Sequence, residues 1–375
     1  MTATPTIEEQ FKSAVREGDA ERLESLLRSE PQSRALVNAP IFWFDAPALN
    51  IASSNGNLRM VDILLEHGAD INGRSRWWAG SYGVLDCAEA SIAEALIARG
   101  AVVDVHAAAR FSHLDRLREL LEGDPGLVHA RGGDGQTPLH FAGSIEAAAF
   151  LLDRGAEIEA KDVDHESTPA QYMAADRPEV CRYLLSRGAK ADAFMAVALD
   201  DLTLLRECIA RDSECVKART DRPPFKPLGS EAEHIYAYTL APTPLHAAAR
   251  LDRAECAALL LEHGADPMER AGYDEATPLH VAAWHNASRV VGILARAGAD
   301  LDADSGPAHR NAPLGWAIVS GSAQAVEALL AHGAPIRGHY LQECERGRRG
   351  EFADFAPAKP EQYTDIAHLL RRHGA

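Results

Sequence analysis

The stretch TPLHAAARLDRAECAALLLEHGAD, at residues 243–266, decides the fold of this chain. It opens with threonine and proline, which suit a helix start because proline fixes a helical φ and its missing N–H is not needed in the first turn. The alanines that follow let two helices approach closely. The stretch ends with a leucine-rich segment and Gly264, and glycine readily takes the left-handed conformation that ends a helix. It therefore predicts two short helices packed as a pair.

Both halves of this stretch recur along the chain. The helix starts are TPLHFA (137–142), STPAQYM (167–173), TPLHVAA (277–283) and the variant APLGWAI (312–318). The helix ends are LLEHGAD (64–70), LIARGAV (96–102), LLDRGAE (151–157), LLSRGAK (184–190), LARAGAD (294–300), LLAHGAP (329–335) and LLRRHGA (369–375). One helix pair cannot bury its apolar stripe alone, but stacked pairs share a core, so the repetition predicts a stacked array.

These strings resemble the ankyrin repeat, whose signature is T-P-L-H-x-A with a period of 33 residues. The resemblance implies an all-α fold, an ankyrin-repeat α-solenoid of stacked helix-turn-helix units with β-hairpin fingers in a curved array. It also implies that ligands meet the finger tips and the exposed edges of the first helices. The strings WWAGSYGVLD, GGDGQTPLHFA, DVDHESTPAQYM and IYAYTL resemble stand-alone bacterial ankyrin-repeat proteins of unassigned function. The resemblance implies no reaction.

The repeats predict that residues 1–375 form a single domain of about ten to eleven repeats. Residues 1–38 are expected to cap the N-terminal end, and residues 338–375 form a C-terminal capping repeat that contains an insertion. The longest irregular stretch is an insertion at 220–242. Two units, 105–131 and 193–219, follow the preceding helix end with almost no linker, so they are expected to lack a finger.

Composition narrows the classes of partner. The chain has 55 acidic and 38 basic residues and a formal net charge of −17, a field that repels phosphate backbones and anionic lipid. Nucleic acid and membrane surfaces are therefore not expected as partners. The N-terminus lacks the apolar run of a secretory signal and no stretch is long and apolar enough to span a bilayer, so a cytoplasmic location is expected. The six cysteines include no C-x-x-C pair, which argues against structural zinc and a disulfide framework.

Most histidines have structural explanations. His106, His140, His246 and His280 stand at the histidine position of the repeat or its equivalent. The ankyrin resemblance implies that this histidine bonds the backbone of a neighbouring repeat. Histidines at second-helix ends are expected to complement the free carbonyls and the helix dipole there. The sixteen histidines therefore do not by themselves indicate a metal site.

The finger of the third repeat is unusual. It contains Trp77, Trp78 and Tyr82 at its tip, and Asp86 stands where histidine is expected. Adjacent exposed tryptophans are typical of interface anchors. They could equally cap a neighbouring finger or fill the space left by a missing one, and the sequence leaves both interpretations open.

The finger of the sixth repeat collects ionisable side chains. Asp164, His165 and Glu166 are adjacent, Gln171 replaces the repeat histidine, and Tyr172 follows it. Histidine with carboxylates could bind a divalent metal or act as an acid/base pair. Because turns naturally collect polar residues, a plain turn is the preferred interpretation. No catalytic residue, metal or cofactor is therefore expected.

Further candidate contacts lie outside these two fingers. Gln136 belongs to the fifth repeat. The insertion at 220–242 holds further candidates and is long enough to fold over the array as a lid. The candidates in the insertion and beyond it are His234, Tyr236, Tyr238, Tyr273 and Trp284.

The sequence thus favours a binding scaffold that recognises a protein or peptide through its concave groove and finger tips. The alternative is a small-molecule-binding protein or an enzyme of hydrolase or lyase type. Its pocket would lie between the fingers of repeats 3–6 and the 220–242 insertion. No complete set of nucleophile, base and orienting group is present in the sequence, which weighs against an enzyme without excluding one.

Overall fold

The computed structural model describes residues 5–226, 233–272, 274–306, 311–356 and 358–375. The chain divides into two compact units. The first unit comprises Met1–Met173 and Glu179–Ala189, and the second comprises Ala174–Pro178 and Lys190–Ala375.

The helices that begin at or before residue 178 follow one another as consecutive pairs, with a short connection inside each pair. They are α1 (Ile7–Glu17), α2 (Ala20–Ser29), α3 (Ala48–Ser54), α4 (Leu58–Glu66), α5 (Val84–Cys87), α6 (Ala93–Ala98), α7 (Val105–Arg110), α8 (Leu114–Gly123), α9 (Pro138–Phe141), α10 (Ile145–Asp153), α11 (Pro169–Asp176) and α12 (Pro178–Ser186). Odd-numbered helices are the first of each pair, and from α1 to α9 the first helices of adjacent repeats contact one another.

The second unit also consists of helix pairs, with one extra helix, α15, before the pair of α16 and α17. Its helices are α13 (Ala193–Ala198), α14 (Leu202–Arg211), α15 (Ile235–Thr239), α16 (Pro244–Arg250), α17 (Ala254–Glu262), α18 (Pro278–Trp284), α19 (Ser288–Arg296), α20 (Pro313–Val319), α21 (Ala323–Ala331), α22 (Tyr340–Arg348) and α23 (Pro360–Arg372). None of the described helices is long and apolar enough to cross a membrane. The expected all-α ankyrin-repeat solenoid is confirmed.

The repeat at 243–266 shows what the recurring threonine, histidine and glycine do in the fold. Thr243 caps α16, and its hydroxyl accepts the N–H of His246 and contacts the ring Nδ1 at 2.7 Å. The other ring nitrogen, Nε2, lies 3.0 Å from the carbonyl oxygen of Ala276 in the next repeat. Gly264 ends the second helix with φ +91°. The histidine therefore joins one repeat to the backbone of the next, as the resemblance implies.

The other three histidines of this kind make the same contact. Their Nε2 atoms lie 3.1 Å from a carbonyl oxygen in the following repeat; the pairs are His106 with Ala130, His140 with Ser167, and His280 with Asn311. His67 and His263 instead bond to backbone carbonyls at the ends of second helices. Their Nδ1 atoms lie 2.8 Å from the carbonyl oxygen of Ile63 and 2.9 Å from that of Leu259. The structural role expected of these histidines is confirmed.

The fingers have fewer cross-finger backbone hydrogen bonds than regular β-hairpins. Finger 2 (39–47), finger 3 (73–83), finger 5 (131–137) and finger 6 (161–168) belong to the first unit and precede α3, α5, α9 and α11. A backbone N–H to carbonyl bond closes each of them: Phe42 to Ala46 at 3.3 Å, Ser75 to Tyr82 at 2.8 Å, Gly132 to Gln136 at 2.9 Å, and Asp162 to Ser167 at 3.1 Å. The described residues contain no strand, and the single antiparallel bridge joins Ala271 and Ala276.

Two first helices are preceded by no finger. α7 begins seven residues after α6 ends, and α13 begins seven residues after α12 ends. In both repeats the second helix is followed by a short 3-10 turn, at Pro125–His129 and at Ser213–Lys217. An aspartate, Asp124 or Asp212, caps each turn through its side chain. Both turns lie in the same string, D-x-x-x-V-x-A-R at 124–131 and 212–219, which is thus a capped turn in place of the usual glycine end.

The core of each unit lies between its helices. In the first unit Phe11, Leu27, Met60 and Leu64 are completely buried. Three of the largest fully buried side chains, Tyr236, Tyr340 and Tyr363, belong to the second unit. The segment at 338–375 contributes α22 and α23, which pack on each other and on α20 and α21.

Candidate functional site

The fingers of the first unit pack tightly on one another. With no finger in the fourth repeat, finger 3 meets finger 5 directly. A Cβ built on Gly80 would overlap the carbonyl oxygen of Gly132, and one on Gly133 would overlap the ring of Tyr82. A Cβ on Gly135 would overlap the side chain of Val163 in finger 6. The GGDG string is therefore a contact surface between fingers in which side chains have no room.

Aromatic side chains from fingers 2 and 3 form a cluster, here called the tip patch. The ring of Phe44 lies 5.1 Å from that of Trp77, edge to face, and 5.4 Å from that of Tyr82. Trp78 lies 6.1 Å from Trp77. Such separations are favourable for aromatic pairs. The tip patch is defined as Phe44, Trp77, Trp78 and Tyr82 together with Trp43, which precedes Phe44 on finger 2.

Much of the tip patch faces solvent. Trp78 is 68% exposed, Trp43 49% and Phe44 38%. Val163 of finger 6 is 48% exposed. Four of the eight exposed large hydrophobic residues among the described positions thus stand on three finger tips of one unit. Trp77 and Tyr82 are half-buried beneath them.

A second group, here called the Asp–His cluster, lies between fingers 5 and 6. It consists of Asp134, Asp164 and His165, whose possible ligand atoms lie within 4.8 Å of one another. His165 Nε2 is 3.5 Å from Asp134 Oδ2 and 4.0 Å from Asp164 Oδ2. The side chain of Asp134 is 7% exposed, and those of Asp164 and His165 are 15% exposed.

Hydrogen bonds fix the backbone around the Asp–His cluster. The Asp134 carbonyl accepts the N–H groups of Val163 and Asp164, at 2.8 and 3.2 Å. The carboxylate of the buried Asp162 accepts the N–H of His165 at 2.9 Å and the hydroxyl of Tyr172 at 3.0 Å. Fingers 5 and 6 are therefore held in register by the same residues that surround the cluster.

Burial controls the ionisation of the surrounding groups. It raises the pKa of Asp162 above its usual range, against the N–H groups of Ser167 and His165 that lower it. Burial is also the main cause of the raised phenol pKa values of Tyr82 and Tyr172, with neighbouring carboxylates adding to the shift. Both phenols are therefore neutral at ordinary pH and act only as hydrogen-bonding groups.

Two other candidates from these fingers have structural roles. Asp86 is buried and accepts the N–H of Gly83 at 2.7 Å and a guanidinium N–H of Arg74 at 3.1 Å. Gln171 accepts the N–H of Thr168 at 2.9 Å. Each side chain accepts the backbone N–H of the residue three positions before it, at the start of its first helix. In other repeats the ring of the repeat histidine accepts the equivalent N–H.

The remaining two candidates lie beside the cluster. Gln136 is buried, and its side chain hydrogen bonds to Tyr172, which slightly opposes the rise of that phenol's pKa. Glu166 is half-exposed and takes a left-handed turn conformation, with φ 49°. It is not part of the group whose ligand atoms converge.

The candidates in the 220–242 insertion lie in the second unit. Tyr236 is fully buried, stacks on Phe194 at 4.8 Å and donates its hydroxyl to Asp192 at 3.0 Å. His234 is also buried and accepts the N–H of Tyr236 at 3.3 Å. These two side chains are core residues at the start of α15, which precedes the first helix α16, and they do not face a ligand-accessible surface. Tyr238 is 57% exposed.

Tyr273 lies outside the described residues, whereas Trp284 borders an apolar cleft in the second unit. The cleft has a volume of about 740 Å³. Trp284 packs edge to face on Trp316 at 5.8 Å and nearly parallel to Phe355 at 6.5 Å. A polar end of the cleft is formed by Glu343 and Arg346, which pair at 3.1 Å.

Family models for ankyrin repeats match the sequence at the positions where the helix pairs lie. The model for ankyrin repeats in three copies matches residues 105–195 and 228–305, and the model for a single ankyrin repeat matches 45–73. The matches cover more than half of the 375 residues. The chain belongs to the ankyrin-repeat family.

The relatives of this ankyrin-repeat chain are varied. It is 30% identical over 169 residues to a transient receptor potential cation channel subfamily A member 1 homolog of Caenorhabditis elegans, covering 44% of the chain and 12% of that protein. It is 26% identical over 263 residues to protein fem-1 homolog A of Danio rerio, covering 54% and 42%. The crystal structure of the human ASB11 ankyrin repeat domain matches at 24% identity with a TM-score of 0.41, covering 62% of this chain and 99% of that one. The chain spans less than half the length of these two curated relatives.

Sequence reasoning missed three residues of these ankyrin-repeat fingers. Phe44 joins the tip patch, Val163 extends its exposed apolar surface, and Asp134 completes the Asp–His cluster. Asp134 was not predicted because it lies in the string GGDG, whose glycines indicate only a turn. A usable signal was the pairing of a glycine-flanked aspartate with D-x-D-H one repeat later, because equivalent finger positions stack on each other.

Proposed function

We propose that this chain is a binding scaffold that recognises a protein or peptide through the tip patch of its first unit. The observation that carries the proposal is the exposure of Trp78, Trp43 and Phe44 on adjacent fingers. Exposed aromatic residues that adjoin one another are unusual on a surface with no partner, and they are the residue types enriched among interface anchors.

The tip patch is also rigid, which favours tight binding. The rings of Trp77 and Tyr82 pack against Phe44. Fingers 3, 5 and 6 are in such close contact at their glycines that they cannot shift towards one another. A preformed surface loses little conformational entropy when a partner binds. Ankyrin repeats in general mediate protein–protein interactions, which supports the same assignment.

The chemistry of the partner follows from apolar surface and charge. The exposed rings require large apolar side chains in the partner, and the net charge of −17 favours basic residues around them. Asp45 provides an exposed carboxylate on finger 2, beside Phe44. We therefore propose a protein segment with one or two aromatic or aliphatic anchors flanked by lysine or arginine.

The cytoplasm is the proposed location. All six cysteines are free thiols and four of them are buried, which agrees with a reducing compartment. The alternative of an enzyme with a pocket beside the 220–242 insertion gains no support from the core positions of His234 and Tyr236.

A random peptide library displayed on phage tests the function directly. Purified full-length chain should select peptides that share large apolar residues with basic neighbours. The double variant F44A/W78A should bind the selected peptides at least tenfold more weakly, because two anchors each contribute about 1–2 kcal/mol or more at an interface. Ile145→Ala is the matched control, since Ile145 is 38% exposed like Phe44 but lies on a second helix.

Either of two outcomes contradicts the proposal. Selected peptides could bind F44A/W78A as tightly as the unaltered chain, which would place the site elsewhere. Selection could also yield no common sequence, which would show that the surface has no peptide specificity. Circular dichroism and thermal melting confirm that both variants are folded before binding is compared.

A further inference from the structure

We propose that Asp134, Asp164 and His165 form a binding site for one divalent transition-metal ion of the zinc type. The site lies between fingers 5 and 6 and does not depend on the partner proposed above. Sequence reasoning preferred a plain polar turn here because Asp164 and His165 are neighbours in a turn; Asp134, from the previous repeat, is the residue that changes the interpretation.

The distances within the cluster are those between ligands of a common ion. Zinc lies about 2.0–2.2 Å from nitrogen and oxygen ligands, so two ligands of a tetrahedral ion are roughly 3.4 Å apart. His165 Nε2 is 3.5 Å from Asp134 Oδ2 and 4.0 Å from Asp164 Oδ2. Both separations exceed the usual length of a charge-assisted hydrogen bond, about 2.7–2.9 Å. His165 pairs with both carboxylates, and the three ligand atoms converge at separations that one bound ion can span.

The second observation concerns the buried oxygen of Asp134. Within the part of the chain that the structure describes, Asp134 Oδ1 is fully buried and has no hydrogen-bond partner. The residue as a whole is only 5% exposed, and its other carboxylate oxygen faces His165. A buried carboxylate oxygen without a partner is costly. A cation bound by this carboxylate would supply the missing interaction.

Outer contacts hold the three ligands in place, as they do in known metal sites. The indole N–H of Trp77 donates to Asp164 Oδ2 at 3.1 Å. The Asp162 carboxylate accepts the backbone N–H of His165 at 2.9 Å. The carbonyl of Asp134 anchors the start of finger 6 through two backbone N–H groups. These contacts orient the ligands before any ion arrives.

The ligand set selects the class of ion. An imidazole with two carboxylates suits Zn²⁺, Co²⁺ or Mn²⁺, whereas Mg²⁺ and Ca²⁺ prefer oxygen ligands alone. Three protein ligands leave at least one coordination position open to water or to a ligand. The half-buried Trp77, Tyr82 and Tyr172 adjoin the cluster and are neutral, so they do not compete for the ion.

Calorimetric titration of Zn²⁺ into the full-length chain, freed of metal with a chelator, tests the site. The unaltered chain should bind one equivalent more tightly than any other, and Mg²⁺ should not displace it. Asp134→Asn, Asp164→Asn and His165→Gln should each weaken that equivalent at least tenfold. Co²⁺ should give visible ligand-field absorption bands that the same variants lose.

The matched control is the double variant D365N/H368Q. Asp365 and His368 are an exposed aspartate and histidine on one face of α23, and they undergo the same chemical changes far along the chain. This control should leave the tight equivalent unchanged, and so should F44A/W78A. Loss of peptide binding with intact metal binding, or the reverse, separates the two proposals.

Two results would overturn the site. One is the absence of any saturable Zn²⁺ equivalent in the unaltered chain. The other is an equivalent whose affinity is the same in Asp164→Asn and His165→Gln, which would place the ion at other histidines. Asp134 is buried, so if Asp134→Asn fails to fold by circular dichroism, the variants of the less buried Asp164 and His165 still decide the question.

Discussion

The indole Nε1 of Trp77 donates a hydrogen bond to Asp164 Oδ2 over 3.1 Å and joins two fingers whose residues are 87 positions apart in the chain. In an ankyrin stack each repeat contacts only its neighbours. Here the fourth repeat has no finger, and the glycines of finger 5 place no side chains between its neighbours, so fingers 3 and 6 meet. The bond is therefore a direct contact between the third and sixth repeats.

Replacing Trp77 tests how much this contact stabilises the first unit. Trp77→Phe keeps an aromatic ring against Phe44 but removes the N–H that Asp164 accepts. Loss of a hydrogen bond to a charged group predicts a decrease of about 1–2 kcal/mol in the free energy of unfolding by urea. Trp78→Phe should change it by less than about 0.5 kcal/mol because Trp78 is 68% exposed. Equal effects from the two variants would show that the bond contributes nothing.

Gly133 is expected to tolerate no side chain. A Cβ there would overlap the ring of Tyr82, whereas a Cβ on Gly123, at the end of α8, meets nothing within 4 Å. Overpacking predicts that Gly133→Ala lowers the free energy of unfolding by about 1–3 kcal/mol, while Gly123→Ala leaves it unchanged or raises it slightly. In a Tyr82→Ala background the cost of Gly133→Ala should largely disappear. A cost that persists there would point to a backbone effect.

Arg110 is predicted to be essential for the short helix α5. Its guanidinium donates to the carbonyls of Leu85 and Ala88 at 2.8 Å each, and also to that of Asp86. Lysine cannot make this fork, so Arg110→Lys should lower the melting temperature and cost roughly 2–4 kcal/mol through unsatisfied buried carbonyls.

The matched control for Arg110 is Arg118→Lys. Arg118 pairs with the exposed Asp115 at 2.6 Å, and both residues lie on α8. Exposed pairs of this kind contribute about 0–1 kcal/mol, so the control should melt close to the unaltered chain. If both variants melted alike, the fork to α5 would have no special importance.

Stability should decrease as the pH falls below 6.5. Burial lowers the pKa of His246 and of His280 from 6.5 to about 4, because the charged ring would lose its hydration. Between these values the unfolded chain binds more protons than the folded chain, so the contribution of each histidine is complete above pH 6.5 and is lost as the pH falls towards 4. The expected loss is about 1 kcal/mol per histidine per pH unit, measured by urea unfolding at pH 7, 6 and 5.

The chain itself suggests the control for this pH dependence. Gln171 stands at a repeat-histidine position and caps its helix through Oε1. The double variant H246Q/H280Q should therefore fold and show a flatter dependence of stability on pH than the unaltered chain. An unchanged slope would assign the effect to other titrating groups.

The sequence predicts the repeat architecture well because its determinants are local. Helix starts, helix ends and the histidine of each repeat act within one or two repeats, and Thr243, His246 and Gly264 have the roles expected of them. The missing fingers before α7 and α13 are also visible as missing residues. These features need no knowledge of how distant segments pack.

The candidate sites are predicted less well because they depend on packing between fingers. Trp77 and Trp78 are adjacent in sequence, yet one is a half-buried donor and the other is exposed. Tyr236 is an aromatic residue in an irregular insertion, and the pattern does not distinguish a core position from a lid. Asp134 joins Asp164 only through the stacking of fingers 5 and 6.

The contact between Trp77 and Asp164 also bears on how the first unit unfolds. Ordinary repeat arrays lose their ends first, since each boundary between neighbours opens almost independently. A tie across the third to sixth repeats closes a loop of 87 residues and raises the contact order of this segment. We expect amide hydrogens of α5 to α10 to exchange together, as one cooperative foldon, while α1 and α2 exchange earlier.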